Sequence, residues 1–106
     1  MTPVSAMTVQ SDSDNNTVYI GNKPVYSYIM ACMTQLESGS SIVLKARGRA
    51  ITRAVDVAEV LTKRFLSGKS VITNIEISTE QLKARDGRQS NVSAIEITVS
   101  PTEPTE

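Results

Sequence analysis

The sequence predicts an α+β domain: a β-α-β-α-β-β chain forming one sheet, with two helices on one face and the hairpin between the last two strands protruding as an arm. Three observations carry that prediction. Apolar residues recur at helical spacing in two windows, Val25, Ile29, Cys32, Met33 and Leu36, then Ile51, Ala54, Val55, Ala58, Leu61 and Phe65. Apolar and polar residues alternate over 71–79 and again over 93–99, as in strands with one buried face. Between those stretches stands Asp86-Gly87, a strong hairpin signal.

Taken in order, residues 1–16 are polar and carry Asp12 and Asp14, and an acidic, disordered leader is expected there. A single domain follows over 17–100. Thr17 to Ile20 read as a short strand ended by Gly21, and Pro24 suits the first turn of the helix that follows. Gly39 stops that helix. Ser41 to Leu44 form a second, β-branched strand, and Ala50 begins a second helix, closed by Gly68. The two long alternating strands then flank a tip containing Lys83, Arg85 and Arg88; with little apolar content from Lys83 to Asn91, that ladder has no core to lie on and is expected to project as a flexible arm. Residues 101–106 are expected to be a disordered acidic tail.

The chain has 106 residues, enough for one domain with its own core. No apolar run approaches the length of a membrane span and the N-terminal residues lack the pattern of a secretory signal, so an intracellular protein that does not enter membranes is expected. A single cysteine and no histidine leave no ligand set for a metal and no histidine-based triad, and no cofactor is expected. Eleven basic residues balance eleven acidic ones overall, but four of the acids (Asp12, Asp14, Glu103, Glu106) lie in the ends. The domain itself therefore carries 11 − 7 = +4. Over the Debye length at physiological salt, about 8 Å, such local clustering governs anion binding more than the total charge does.

The densest cluster is Lys45-Ala46-Arg47-Gly48-Arg49-Ala50-Ile51-Thr52-Arg53, with four cations in nine positions. Arg49 and Arg53 stand four apart, a spacing at which like charges weaken a helix. An anionic ligand relieves that repulsion, and a strand-to-helix junction adds backbone N–H groups for phosphate. In a β-α-β-α layout the loops after the first two strands open at the same end of the sheet, bringing Lys23 toward Arg47 and Arg49.

These residues also resemble a known family. Val18-Tyr19-Ile20-Gly21-Asn22-Lys23-Pro24-Val25, then Ile42 to Ile51, Ala54-Val55-Asp56, Arg64-Phe65-Leu66, and Asp86-Gly87-Arg88-Gln89-Ser90 leading into Val92 to Ile97 are similar to the Alba proteins, small archaeal chromatin and RNA-binding proteins. The resemblance spans roughly residues 17–99. It implies a homodimer, in the cytoplasm and associated with the chromosome, that compacts double-stranded DNA and also binds RNA with little sequence preference. It implies phosphate contacts from Lys23, Arg47 and Arg49, minor-groove contacts from arms bearing Arg85 and Arg88, and side-by-side association of dimers through Phe65; Lys45 and Arg53 join the candidate contacts as members of the same basic cluster. It also makes Lys23 the candidate for acetylation. Where the family commonly has two lysines before the proline, this chain has Asn22 and Lys23, which predicts one phosphate contact fewer. Asn91 replaces a commonly basic residue, and the acidic ends are expected to compete with nucleic acid for the basic surface.

Other readings are weaker. Ser67-Gly68-Lys69-Ser70 looks like the end of a phosphate-binding loop, but Lys63 stands where that motif needs glycine and the segment lies between helix and strand in the wrong order. Asp56, Glu59 and Glu76 are scattered, and no enzyme is expected. Cys32 is read as core, and Tyr19, Tyr26 and Tyr28 as packing residues. Phe65 suits either the core or an interface between copies. Two alternatives stay open: an RNA-processing accessory protein or RNA chaperone using the same surface, and a dimeric scaffold for acidic proteins.

Overall fold

A computed structural model describes residues 16–102. The elements are β1 (Thr17–Tyr19), α1 (Val25–Glu37), β2 (Ile42–Arg47), α2 (Ala50–Val60) continued by a π-helical turn (Leu61–Phe65), β3 (Ser70–Lys83) and β4 (Gln89–Pro101). The sheet order is β1-β2-β4-β3. β1 and β2 are parallel, joined through α1, and β4 runs antiparallel to both β2 and β3. The α+β architecture expected from the sequence is present, with the β3–β4 hairpin antiparallel.

The core lies between the helices and one face of the sheet. Ile42, Leu44 and Ala46 of β2 and Ile95, Ile97 and Val99 of β4 are buried against Ile29, Cys32 and Leu36 of α1 and Ala54, Val57, Ala58 and Leu61 of α2. The first helical stripe holds as read, with Tyr28 added: its hydroxyl accepts hydrogen bonds from the Gly21 and Lys23 N–H groups at 2.8 and 3.1 Å. Burial of Cys32 pushes its thiol pKa up to about 12, as expected where a thiolate cannot be solvated.

The second stripe shifts. Val57 takes a core place and Val55 points outward. The Leu66 N–H donates to the Leu61 carbonyl at 2.8 Å, five residues back. That extra residue in the turn advances the helix surface, so Leu66 is buried behind Leu61 while Phe65, which strict helical spacing would put inside, is 47% exposed.

The third strand departs most from expectation. A bulge sets Thr73 and Asn74 against one partner, Thr98, so Val71 and Ile75 lie on opposite faces. Ile72, Ile75 and Ile77 pair with Val99, Ile97 and Ile95 on the helix-bearing side, yet Ile75 and Ile77 remain 56% and 78% exposed. β3 is the sheet edge, and the helical layer covers only its start, where the Ser70 hydroxyl donates to the Leu66 carbonyl and Ile72 packs against the core. The buried face expected for 71–79 is thus confined to Ile72 in the single chain, whereas that expected for 93–99 is present.

β2 pairs with β4 only from Ala94 to Val99, so Thr79–Lys83 and Gln89–Ser93 form a two-stranded extension, the projecting arm. At its tip the Gly87 N–H donates to the Ala84 carbonyl and the Ala84 N–H to the Arg88 carbonyl, at 3.0 and 2.8 Å. Gly87 sits at φ +88°, the left-handed residue that closes a three-residue turn rather than a two-residue one. At the other end of β4, Pro101 pairs with Ser70 and the Thr102 N–H donates to the Lys69 carbonyl, so the fold runs two residues past the expected boundary. The expected leader lies, apart from Asn16, outside the described residues, and so does the tail beyond Thr102.

Candidate nucleic-acid interface

Register decides which cations meet. β1 and β2 run parallel, so the loops after Tyr19 and after Arg47 leave from one end of the sheet. Arg47 pairs with Ala94, and the arm continues beyond that rung, so it leaves from the same end. The loop bearing Lys23, the turn bearing Arg49 and the base of the arm are therefore neighbours, as the layout predicted for the first two.

The basic stretch is not a single loop. β2 extends three residues further than expected, which puts Lys45 and Arg47 on the strand, on the sheet face away from the helices. Gly48 turns the chain at φ +59°, and its N–H donates to the Ser93 carbonyl at 2.8 Å. A Cβ there would lie 3.3 Å from Val92 Cγ2, so the turn between the two arginines needs glycine both for its conformation and for its closeness to β4.

The seven cations singled out in the sequence divide by environment. Lys23 and Arg49 are exposed, and their side chains have no ion pair or hydrogen bond among the described residues; the same holds for Arg85 on the arm. Arg47 pairs with Glu80 at 2.9 Å and Lys45 approaches Glu96 at 3.7 Å. Arg53 is turned inward: its guanidinium donates to the Gly21 carbonyl at 2.8 Å, fastening the Lys23 loop to α2. Arg88 pairs with Asp86 at 2.9 Å, and its backbone N–H and guanidinium hold the Asp86 carboxyl below its ordinary pKa. The repulsion inferred from sequence is thus partly relieved inside the chain, by Glu80, Glu96 and the Gly21 carbonyl.

Sequence reasoning missed Glu80, which reaches Arg47 only because of the β3–β4 register, and it placed Lys83 in the basic hairpin without naming it a contact, although it stands exposed near Arg85. It also expected all three tyrosines to pack. Tyr28 does; Tyr19 and Tyr26 are 68% and 61% exposed, Tyr19 on the same sheet face as Lys45 and Arg47. Phe65 stands half out of the surface beside α2. Among the described residues there is no group of three metal-ligating side chains, and no helix is long and apolar enough to cross a membrane.

A family model described as Alba matches residues 16–79. The chain is 57% identical over 83 residues to "DNA/RNA-binding protein Alba 1" of Archaeoglobus fulgidus, an alignment covering 77% of this chain and 91% of the relative. It is 49% identical over 85 residues to "DNA/RNA-binding protein Alba" of Methanocella arvoryzae, covering 79% and 88%. Among solved structures, Alba from Thermoplasma volcanium superposes with a TM-score of 0.73 at 41% identity, covering 80% of this chain and 99% of that one.

Proposed function

Because the chain belongs to the Alba family, we propose that it binds nucleic acid without reading base sequence, gripping duplex DNA by its phosphates and organising it on the chromosome inside the cell. Lys23 and Arg49 are the primary phosphate contacts, Arg47 and Lys45 join once their carboxylates yield, and Arg53 holds the Lys23 loop in place. Lys83 and Arg85 enter the minor groove from the arm tip, where narrow grooves concentrate negative potential. The observation that carries this reading is the emergence of both basic loops and the arm from one end of the sheet. Guanidinium groups take phosphate oxygens bidentately, and such contacts position a protein without specifying sequence.

The functional unit in this reading is a homodimer. Ile75 and Ile77 form an apolar row on an edge strand, the kind of surface a second copy covers. A two-fold dimer carries two arms and two basic ends to one duplex, and half-exposed Phe65 supplies a further contact between dimers for compaction. RNA shares the same phosphate chemistry, so binding of RNA is part of the proposal. Lys23, exposed and unpaired, remains the residue whose acetylation would remove a positive charge from the phosphate-binding surface.

Fluorescence anisotropy with duplex DNA, duplex RNA and single strands of each, at two salt concentrations, tests this. Lys23→Ala and Arg49→Ala should each weaken binding equally for unrelated sequences and flatten the salt dependence, the slope falling by about 0.9 for each phosphate no longer neutralised. Unchanged affinity in both variants, or a weakening confined to one sequence, refutes the assignment.

A further inference from the structure

The sheet face away from the helices carries an open hollow of about 420 Å³ that phosphate binding does not explain. Its wall includes Tyr19, Lys45, Arg47, Glu80, Ala94 and Glu96. The register accounts for the shape. Tyr19, Lys45, Glu96 and Glu76 lie in one row across the four strands, and Arg47, Ala94 and Ser78 in the next. Small Ala94, outside the main core cluster, floors the hollow, while long side chains rise around it.

Two features of this hollow are costly for a bare surface. Tyr19 stands 68% exposed on its rim, and Glu96 sits directly opposite Glu76, a like-charged cross-strand pair that weakens a sheet. Lys45 relieves Glu96 only at 3.7 Å, beyond hydrogen-bonding distance, so its carboxylate oxygens remain able to accept. Carboxylates repel phosphate. They suit a group with adjacent N–H donors, and an exposed aromatic ring across Lys45 from Glu96, about 10 Å away at two strand spacings, suits a flat π-system that bridges the row.

We infer that this face is a subsite for one unpaired nucleotide, with guanine stacked on Tyr19 and its N1–H and 2-amino groups donating to Glu96, while Lys45 and Arg47 neutralise the adjoining sugar-phosphate. The inference rests on the nucleic-acid reading above and extends it to an adjoining sheet face, which shares Lys45 and Arg47 with the phosphate-binding surface, and to a distinct form, the single strand. Guanine fits because its two donors lie side by side and match the two oxygens of a carboxylate. Uracil does not fit, since its one N–H lies between two carbonyl oxygens that the carboxylate repels. Stacking of unpaired bases on aromatic rings presented by a sheet is a general route to single-strand recognition.

Binding of three labelled probes to the full chain tests it: a single-stranded RNA of alternating guanosine and uridine, the same RNA with inosine for guanosine, and a duplex DNA. The wild type should favour the guanosine strand over the inosine one. Tyr19→Ala should weaken both single strands about tenfold and leave the duplex within twofold. Glu96→Gln should erase the preference for guanosine over inosine, with the preference ratio as the readout because freeing Lys45 shifts overall affinity. Thermal melts confirm that each variant folds. Duplex binding intact with single strands indifferent to both substitutions overturns the subsite alone. Failure of the wild type to bind any of the three probes overturns the nucleic-acid reading, and the subsite with it.

Discussion

Glu80 occupies Arg47 as a phosphate would, so replacing it should strengthen nucleic-acid binding. The pair is 2.9 Å long, with side chains 58% and 48% exposed, which places it among surface ion pairs worth about 0.2–1 kcal/mol. A phosphate taking Arg47 must first displace the carboxylate, and Glu80→Gln removes that competition. The gain is roughly 1.4- to 5-fold in affinity per chain, and about the square of that if both chains of the proposed dimer engage one duplex. Salt adds a second readout. A phosphate contact releases about 0.9 counterion, but a freed Glu80 takes up a cation and cancels part of that release, so the variant should show the steeper salt dependence. Anisotropy titrations at several salt concentrations measure both. Glu59→Gln removes one charge of equal sign from an exposed pair between α2 and Lys63 of the π-helical turn and controls for net charge alone. In the Glu80→Gln background, Arg47→Ala should cost more than it does in the wild type. Equal effects of Arg47→Ala in both backgrounds, or equal gains from Glu80→Gln and Glu59→Gln, would refute the competition.

The π-helical turn makes neighbouring residues behave oppositely: Leu66→Ala should destabilise by about 2–5 kcal/mol in urea denaturation, whereas Phe65→Ala should cost under about 1 kcal/mol and instead reduce higher assembly on DNA. Ile77→Glu, on the exposed edge row, should leave the chain folded by circular dichroism but shift sedimentation from dimer to monomer; a persistent dimer places the interface elsewhere. Cys32 should resist maleimide in the folded protein and react on unfolding. Because its thiol pKa is raised from 9.0 to about 12 in the fold, its contribution is complete below pH 9 and falls by about 1.4 kcal/mol per unit as pH rises toward 12, so Cys32→Ala should flatten the alkaline loss of stability.

Element order and both helices were legible because helical spacing and strand alternation report directly on a core face, and α1 with β4 follow that pattern almost residue for residue. What was not legible shares a cause. The bulge at Thr73 and the π turn before Leu66 each insert one residue into a regular repeat, and one residue is enough to exchange the faces of Val71 and Ile75 or of Phe65 and Leu66. Neither has a local marker such as proline or glycine. Which cations stand free was equally hidden. Arg47 and Glu80 are 33 positions apart, and so nearly are Arg53 and Gly21; only the strand register and the packing of α2 bring them together. The shared end of the Lys23 and Arg49 loops was legible because parallel strands joined through a helix must open their following loops in the same direction.

The anchoring of Thr102 to Lys69 fixes the far end of β4 away from the phosphate-binding loops. Pro101 lies seven rungs of β4 from Ala94, about 23 Å at 3.3 Å per residue, and the basic loops begin beyond that point. Within one subunit Thr102 therefore stands at the opposite pole of the sheet from Lys23 and Arg49, and a label carried there leaves the cationic pole uncovered.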